Sequence, residues 1–225
     1  TTATSFDDLV GPLWTQGIAT GADATSGSAN VWTWDETTSD GDKANWDEVT
    51  NLNDTPSEDA TGFLVFVFED DDFGAADVQG GFPKQITMGN PLSGGITPTI
   101  NGNIGGFTLL GNPYDQTIDF DGLTINSDVN STVQVYNPAT PSWDTWNGSA
   151  GDLTDGLIAP LQGFFVATTG TSPTLTIEEA DKTTGATFRG KTVQDEAPLA
   201  VRLELNENED DGELTNSAWL SFSEN

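Results

Sequence analysis

The chain has 225 residues, 36 acidic and 6 basic side chains, a net charge of −30, no histidine and no cysteine. This balance repels nucleic acid and anionic membrane surfaces, and the missing residue types exclude disulfides, Ser-His-Asp and Cys-His nucleophiles and the usual zinc sites. The 25 glycines and 11 prolines punctuate short runs of Val, Ile, Thr, Phe and Trp, which is the pattern of an all-β protein.

Taken in chain order, Thr1 opens neither a signal peptide nor a Met-initiated chain, so the start reads as a processed or trimmed product. Ser5 to Leu13 predicts one or two helical turns, because Asp7 and Asp8 suit a helix N-terminus and Gly11-Pro12 stops it. Strand patterns follow at Asn30-Val31-Trp32-Thr33-Trp34-Asp35 and Gly62-Phe63-Leu64-Val65-Phe66-Val67. Further strands are predicted at Phe107 to Leu110, Thr132 to Asn137, Gly163 to Ala167 and Leu175 to Ile177. No apolar run approaches the roughly 18–20 residues of a spanning helix.

These runs read as one β module present twice, residues 1–103 and 104–188, joined at the turn-prone Thr97 to Asn103. Val31 to Trp34 corresponds to Val133 to Tyr136, Trp46 to Trp146, and Gly62 to Val67 to the run from Gly163. Ser5-Phe6-Asp7-Asp8-Leu9 corresponds to Asp119-Phe120-Asp121-Gly122-Leu123. The second copy opens 13 residues before Phe120, at Phe107, and the first copy has no counterpart for that strand. A sheet short of one strand leaves unpaired N–H and C=O groups that invite another strand.

Residues 189–225 predict a linker and a C-terminal hairpin without a counterpart in either copy. Leu199, Val201, Leu203 and Leu205 alternate with polar neighbours, as do Ala218, Leu220 and Phe222. These seven residues are the expected strand-donor face, with Thr1 to Thr4 as the alternative donor. A ten-residue linker extends roughly 33 Å at about 3.3 Å per residue, enough to fill the slot within one molecule or in a neighbour.

Candidate chemistry is sparse. Glu69, Asp70, Asp71, Asp72 and Asp77 gather hard oxygen ligands in one loop and suit calcium, although not in a helix-loop-helix register. Glu178 and Glu179 are a carboxylate pair by residue type only. Trp32, Trp34, Trp46, Trp143 and Trp146 fit either core packing or glycan stacking. Asn53, Asn130 and Asn147 open glycosylation sequons. No enzymatic activity is expected.

Asp8-Leu9-Val10-Gly11-Pro12-Leu13-Trp14-Thr15-Gln16-Gly17, Gly106 to Pro113, Gly156 to Val166 and Ser217 to Phe222 together resemble a β-domain of large surface and secreted proteins. Those proteins belong to Bacteroidota-type bacteria that export by the type IX route. The resemblance implies an extracellular or cell-surface setting and no transferable activity. Family members carry a Gly-Trp-Arg-type first strand and a C-terminal sorting domain, and this sequence has neither. The resemblance and the empty slot together predict a homo-oligomeric surface filament built by strand complementation. The alternative is an adhesive or carbohydrate-binding module of a larger surface protein. Neither involves membrane insertion.

Overall fold

The computed structural model describes residues 5–11, 13–35, 45–56, 58–68 and 92–189, together with the backbones of strands 199–205 and 216–222. It divides into two units, Thr1–Lys191 and Thr192–Asn225. The described chain is all-β apart from one short helix and a few short 3₁₀ turns.

Helix α1 (Phe6–Val10) starts where the sequence places it. Ser5 Oγ accepts the Asp8 N–H at 3.2 Å while Asp8 Oδ2 accepts the Ser5 N–H at 3.2 Å, a reciprocal cap that satisfies two orphan donors. Phe6 and Val10, one turn apart, both face inward. Strands β1 (Val31–Trp34), β2 (Trp46–Glu48) and β3 (Phe63–Val65) form an antiparallel sheet in the order β2-β1-β3. Under it lies a core of Phe6, Val10, Leu13, Ile18, Val31, Val49 and Leu52.

The remaining strands of this unit are β4 (Phe107–Gly111), β5 (Thr117–Asp119), β6 (Thr124–Ile125), β7 (Val129–Asn137), β8 (Ser142–Trp146), β9 (Leu157–Ile158), β10 (Gly163–Thr168), β11 (Leu175–Thr176) and β12 (Lys182–Thr183). Four of them make the main sheet, β4-β10-β7-β8, and the others pair as β11-β6 and β12-β5-β9. Strict alternation sends Val133, Val135, Phe164 and Val166 into a second core with Leu110, Tyr114, Ile118, Ile158 and Ile177. The predicted junction does not act as a free linker: Ile100 is buried in this second core, and Ile96 bridges antiparallel to Ile177. At the end of this unit Arg189 Nε lies 2.8 Å from the buried Asp144 Oδ2, an ion pair whose N–H is not aligned as a hydrogen bond.

The second unit is a hairpin of β13 (Leu199–Leu205) and β14 (Asn216–Phe222). Its register pairs Leu199 with Phe222, Val201 with Leu220 and Leu203 with Ala218. In this register the seven predicted donor residues occupy alternate positions of the two strands. A two-stranded hairpin is marginal alone in water and needs a further strand or a surface to cover it.

Candidate functional site at an open sheet edge

The four-stranded sheet and the β2-β1-β3 sheet share a strand order. In the main sheet β10 lies between β7 and β4, whereas in the smaller sheet β3 pairs with β1 on one side only, among the described residues. The β1–β2 and β7–β8 hairpins also carry the same cross-strand aromatic pair. Trp34 lies opposite Trp46 with ring centroids 5.0 Å apart, and Tyr136 lies opposite Trp143 at 5.2 Å. This register relocates one sequence correspondence. Trp46 matches Trp143, while Trp146 lies opposite Val133 as Val49 lies beside Val31.

The backbone of β3 has a used side and a side that no described strand meets. Phe66 donates its N–H to Asn30 O at 2.8 Å, and the Leu64–Trp32 pair two residues earlier faces the same way. Gly62 donates to Leu109 O at 3.1 Å and Ala60 O accepts from Gly111 at 2.8 Å, so the segment before β3 binds β4 through the same side. Gly62 is required there, because a Cβ would lie 2.5 Å from Leu109 Cγ. Alternation then turns the N–H and C=O groups of Phe63 and Val65 outward, where no described strand meets them.

The side chains of β3 reinforce this openness. Phe63, Val65 and Val67 pack against the first core, whereas Leu64 and Phe66 are 39% and 55% exposed. Phe66 touches Phe68 edge to face with ring centroids 4.9 Å apart. From Thr61 to Phe68 the chain carries no charge, in a protein of net charge −30. Sheet proteins normally guard an edge with charges, proline or a bulge, and this segment has no charge and no proline.

A second surface feature lies on the outer face of the main sheet. Phe165 is buried on that face because rings close over it: Trp34 at 4.9 Å, Trp143 at 5.3 Å, Trp46 at 6.2 Å and Phe107 at 6.5 Å between centroids. Trp34 Nε1 also donates to Phe107 O at 2.8 Å, which seats the β1–β2 hairpin on this sheet. Trp143 and Tyr136, at 45% and 41% exposure, leave part of the cluster open to solvent.

The other sequence candidates fall as follows. Glu69, Asp70, Asp71, Asp72 and Asp77 lie outside the described residues, as do Thr1 to Thr4. Among the described residues no group of three or more acidic side chains is placed to hold a metal ion. Of the carboxylates Glu178 and Glu179, Glu179 Oε1 accepts the Gly94 N–H at 3.0 Å and lies 3.6 Å from Lys182 Nζ, and these two contacts lower its pKa. Lys182 in turn sits 4.3 Å above the ring of Tyr114, whose hydroxyl donates to Gly94 O at 2.7 Å. Asn53 and Asn147 are exposed, while Asn130 lies within β7, where its Oδ1 accepts the Thr132 N–H at 2.9 Å. No helix of the described chain is long and apolar enough to cross a membrane.

The sequence expectation of a sheet short of one strand agrees with a β3 that pairs on one side only among the described residues. The aromatic cover over Phe165 was not legible in the sequence, because its rings come from strands more than 100 residues apart in the chain. Comparison of the chain with protein-family models, with curated proteins and with solved structures finds no match.

Proposed function

We propose that this chain is a structural subunit of an extracellular bacterial fibre, in which a strand from one copy pairs with the open edge of β3 in the next. The supporting observation is the pair of sheets with one strand order, a fourth strand beside β10 and none among the described residues beside β3. An uncharged, partly exposed apolar edge is a template for main-chain pairing. A head-to-tail contact of this kind does not close on itself and generates fibres.

The occupant we assign is β14 of a neighbouring copy. Its seven residues, Asn216 to Phe222, carry no charge, whereas β13 carries Arg202 and Glu204 on the face opposite its leucines. A strand beside β3 continues both of its faces, one over the core and one beside Leu64 and Phe66. Ser217, Trp219 and Ser221 suit the second of these, and a charged pair does not. The extracellular setting rests on the family resemblance and on the acidic coat. The contact needs no metal, so calcium at Glu69, Asp70, Asp71, Asp72 and Asp77 would be an addition to it.

Phe66→Lys tests the reading. The residue is 55% exposed, so a charge there leaves the fold intact while guarding the edge. Negative-stain images are expected to show periodic fibres for the native protein and dispersed particles for the variant. Dispersed native particles at high concentration, or fibres unaffected by the lysine, would overturn it.

The exposed rings of Trp143 and Tyr136 favour a second reading, an adhesive module that stacks sugar rings on this cluster. Glycan-array binding that Trp143→Ala abolishes would support that alternative.

A further inference from the structure

We infer that Asn147 is a self-modifying site, whose side-chain amide is displaced by the backbone nitrogen of Gly148 to give a succinimide and then aspartate or isoaspartate. The residues lie in the tight exposed turn after β8, closed by the Asn147 N–H donating to Ala150 O at 3.2 Å and by the antiparallel bridge Trp146–Gly151.

Three kinds of group that this reaction needs meet there. The electrophile is polarised: Asn147 Oδ1 accepts from Ala150 N at 2.9 Å, from Ser149 N at 3.1 Å and from Ser149 Oγ at 3.1 Å. These donors stabilise the negative charge that Oδ1 acquires when Cγ becomes tetrahedral. The nucleophile is free: among the described residues the Gly148 N–H has no acceptor, and the residue has no Cβ to hinder attack. A base is adjacent. Asp121 Oδ1 lies 3.8 Å from the point where a Gly148 Cβ would sit, and Trp146 Nε1 holds that carboxylate by donating to Oδ1 at 3.1 Å and Oδ2 at 3.0 Å.

The step balances without an oxidant or cofactor. Gly148 N bonds to Asn147 Cγ as its proton passes through a water to Asp121. That proton is returned to the departing Nδ2, the Cγ–Nδ2 bond breaks and ammonia leaves. Water then opens the cyclic imide at either carbonyl. Opening at one gives aspartate, and opening at the other gives isoaspartate with an extra methylene in the backbone. The product adds a negative charge beside Trp146, which packs on the second core. Nδ2 is also the acceptor atom of the Asn147 sequon, so a glycan there and this reaction exclude one another.

The sequence contains its own control, since Asn101-Gly102 is the other Asn-Gly step. There Asn101 Oδ1 accepts the Asn103 N–H at 3.0 Å, and Asn101 O is held by Thr168 Oγ1 at 2.6 Å. The atoms within 4 Å of the Gly102 Cβ position belong to the Thr171 carbonyl, the oxygen at 3.1 Å, and no carboxylate is among them.

The folded protein is incubated at neutral pH, and both asparagines are followed by peptide mapping and isoaspartate detection. Asn147 is expected to convert faster than Asn101, and the difference to vanish in denaturant, where the turn is lost. Ser149→Ala is expected to slow Asn147 by roughly two- to tenfold, the rate equivalent of one ordinary hydrogen bond. Asp121→Asn, which keeps an acceptor for Trp146, is expected to slow it as well. Equal rates at the two asparagines in the folded protein, or a rate at Asn147 untouched by both substitutions, would overturn the inference.

Discussion

Asp181 shows what a single side chain contributes in so acidic a protein. Burial first, and then the charges of Glu178 and Asp119, raise its pKa, against a backbone hydrogen bond from Glu178 that lowers it. A carboxyl raised in the folded state binds its proton more tightly there than in the unfolded chain. Its favourable contribution is complete below the unfolded value and is lost as pH rises through the folded value. Glu179, lowered by Gly94 and Lys182, has the opposite sign: its contribution is complete above the unfolded value and is lost as pH falls through the folded value. Asp181→Asn keeps an oxygen for the Glu178 N–H, which lies 2.7 Å from Asp181 Oδ2, while removing the charge. It is expected to raise the melting temperature at neutral pH, by a gain of no more than about 1 kcal/mol. The advantage should shrink as pH falls into the carboxylate range near about 4. A variant that melts below the native protein at neutral pH would show that this repulsion is not felt. The sequence singled out Glu178 and Glu179 by type alone. The actual setting of Glu179 depends on Gly94 and Lys182, and the Gly94 partner lies 85 residues away.

At the scale of elements, local chemistry was legible and long-range seating was not. Helix α1 begins at a Ser5–Asp8 cap and stops at Gly11, as residue types alone dictate. The strands β1 and β10 likewise fall where the apolar runs at Val31 to Trp34 and Gly163 to Ala167 place them. The hairpin β1–β2, by contrast, is seated by Trp34, whose ring packs on Phe165 and whose Nε1 donates to Phe107 O, 73 residues away. No local pattern encodes that contact, and for the same reason Trp46 was matched with the wrong tryptophan. Trp34→Phe retains most of the ring contact and loses the hydrogen bond. It is expected to cost about 0.5–1.5 kcal/mol in urea unfolding, and Trp34→Ala considerably more because the rings around Phe165 lose a packing partner. If Trp34→Phe is neutral, ring packing alone seats the hairpin and the Nε1 bond is incidental.

At the scale of the whole molecule, a net charge of −30 and an uncharged edge at Thr61 to Phe68 pull in opposite directions. Copies repel one another over distances set by the Debye length, about 10 Å at 0.1 M salt and about 3 Å at 1 M. The proposed contact would bury apolar side chains and pair backbone groups, and neither interaction is weakened by screening. Added sodium chloride therefore lowers the barrier to association without loosening the bound state. Assembly followed by light scattering is expected to become faster and more complete as salt rises from low millimolar toward molar concentration, with the steepest change at low salt. Phe66→Lys should remain dispersed throughout, because salt does not remove the cost of burying its ammonium against an apolar strand. The opposite trend, fibres that dissociate as salt is added, would mean that complementary charges hold the copies together. It would then place the contact among the acidic loops, away from β3.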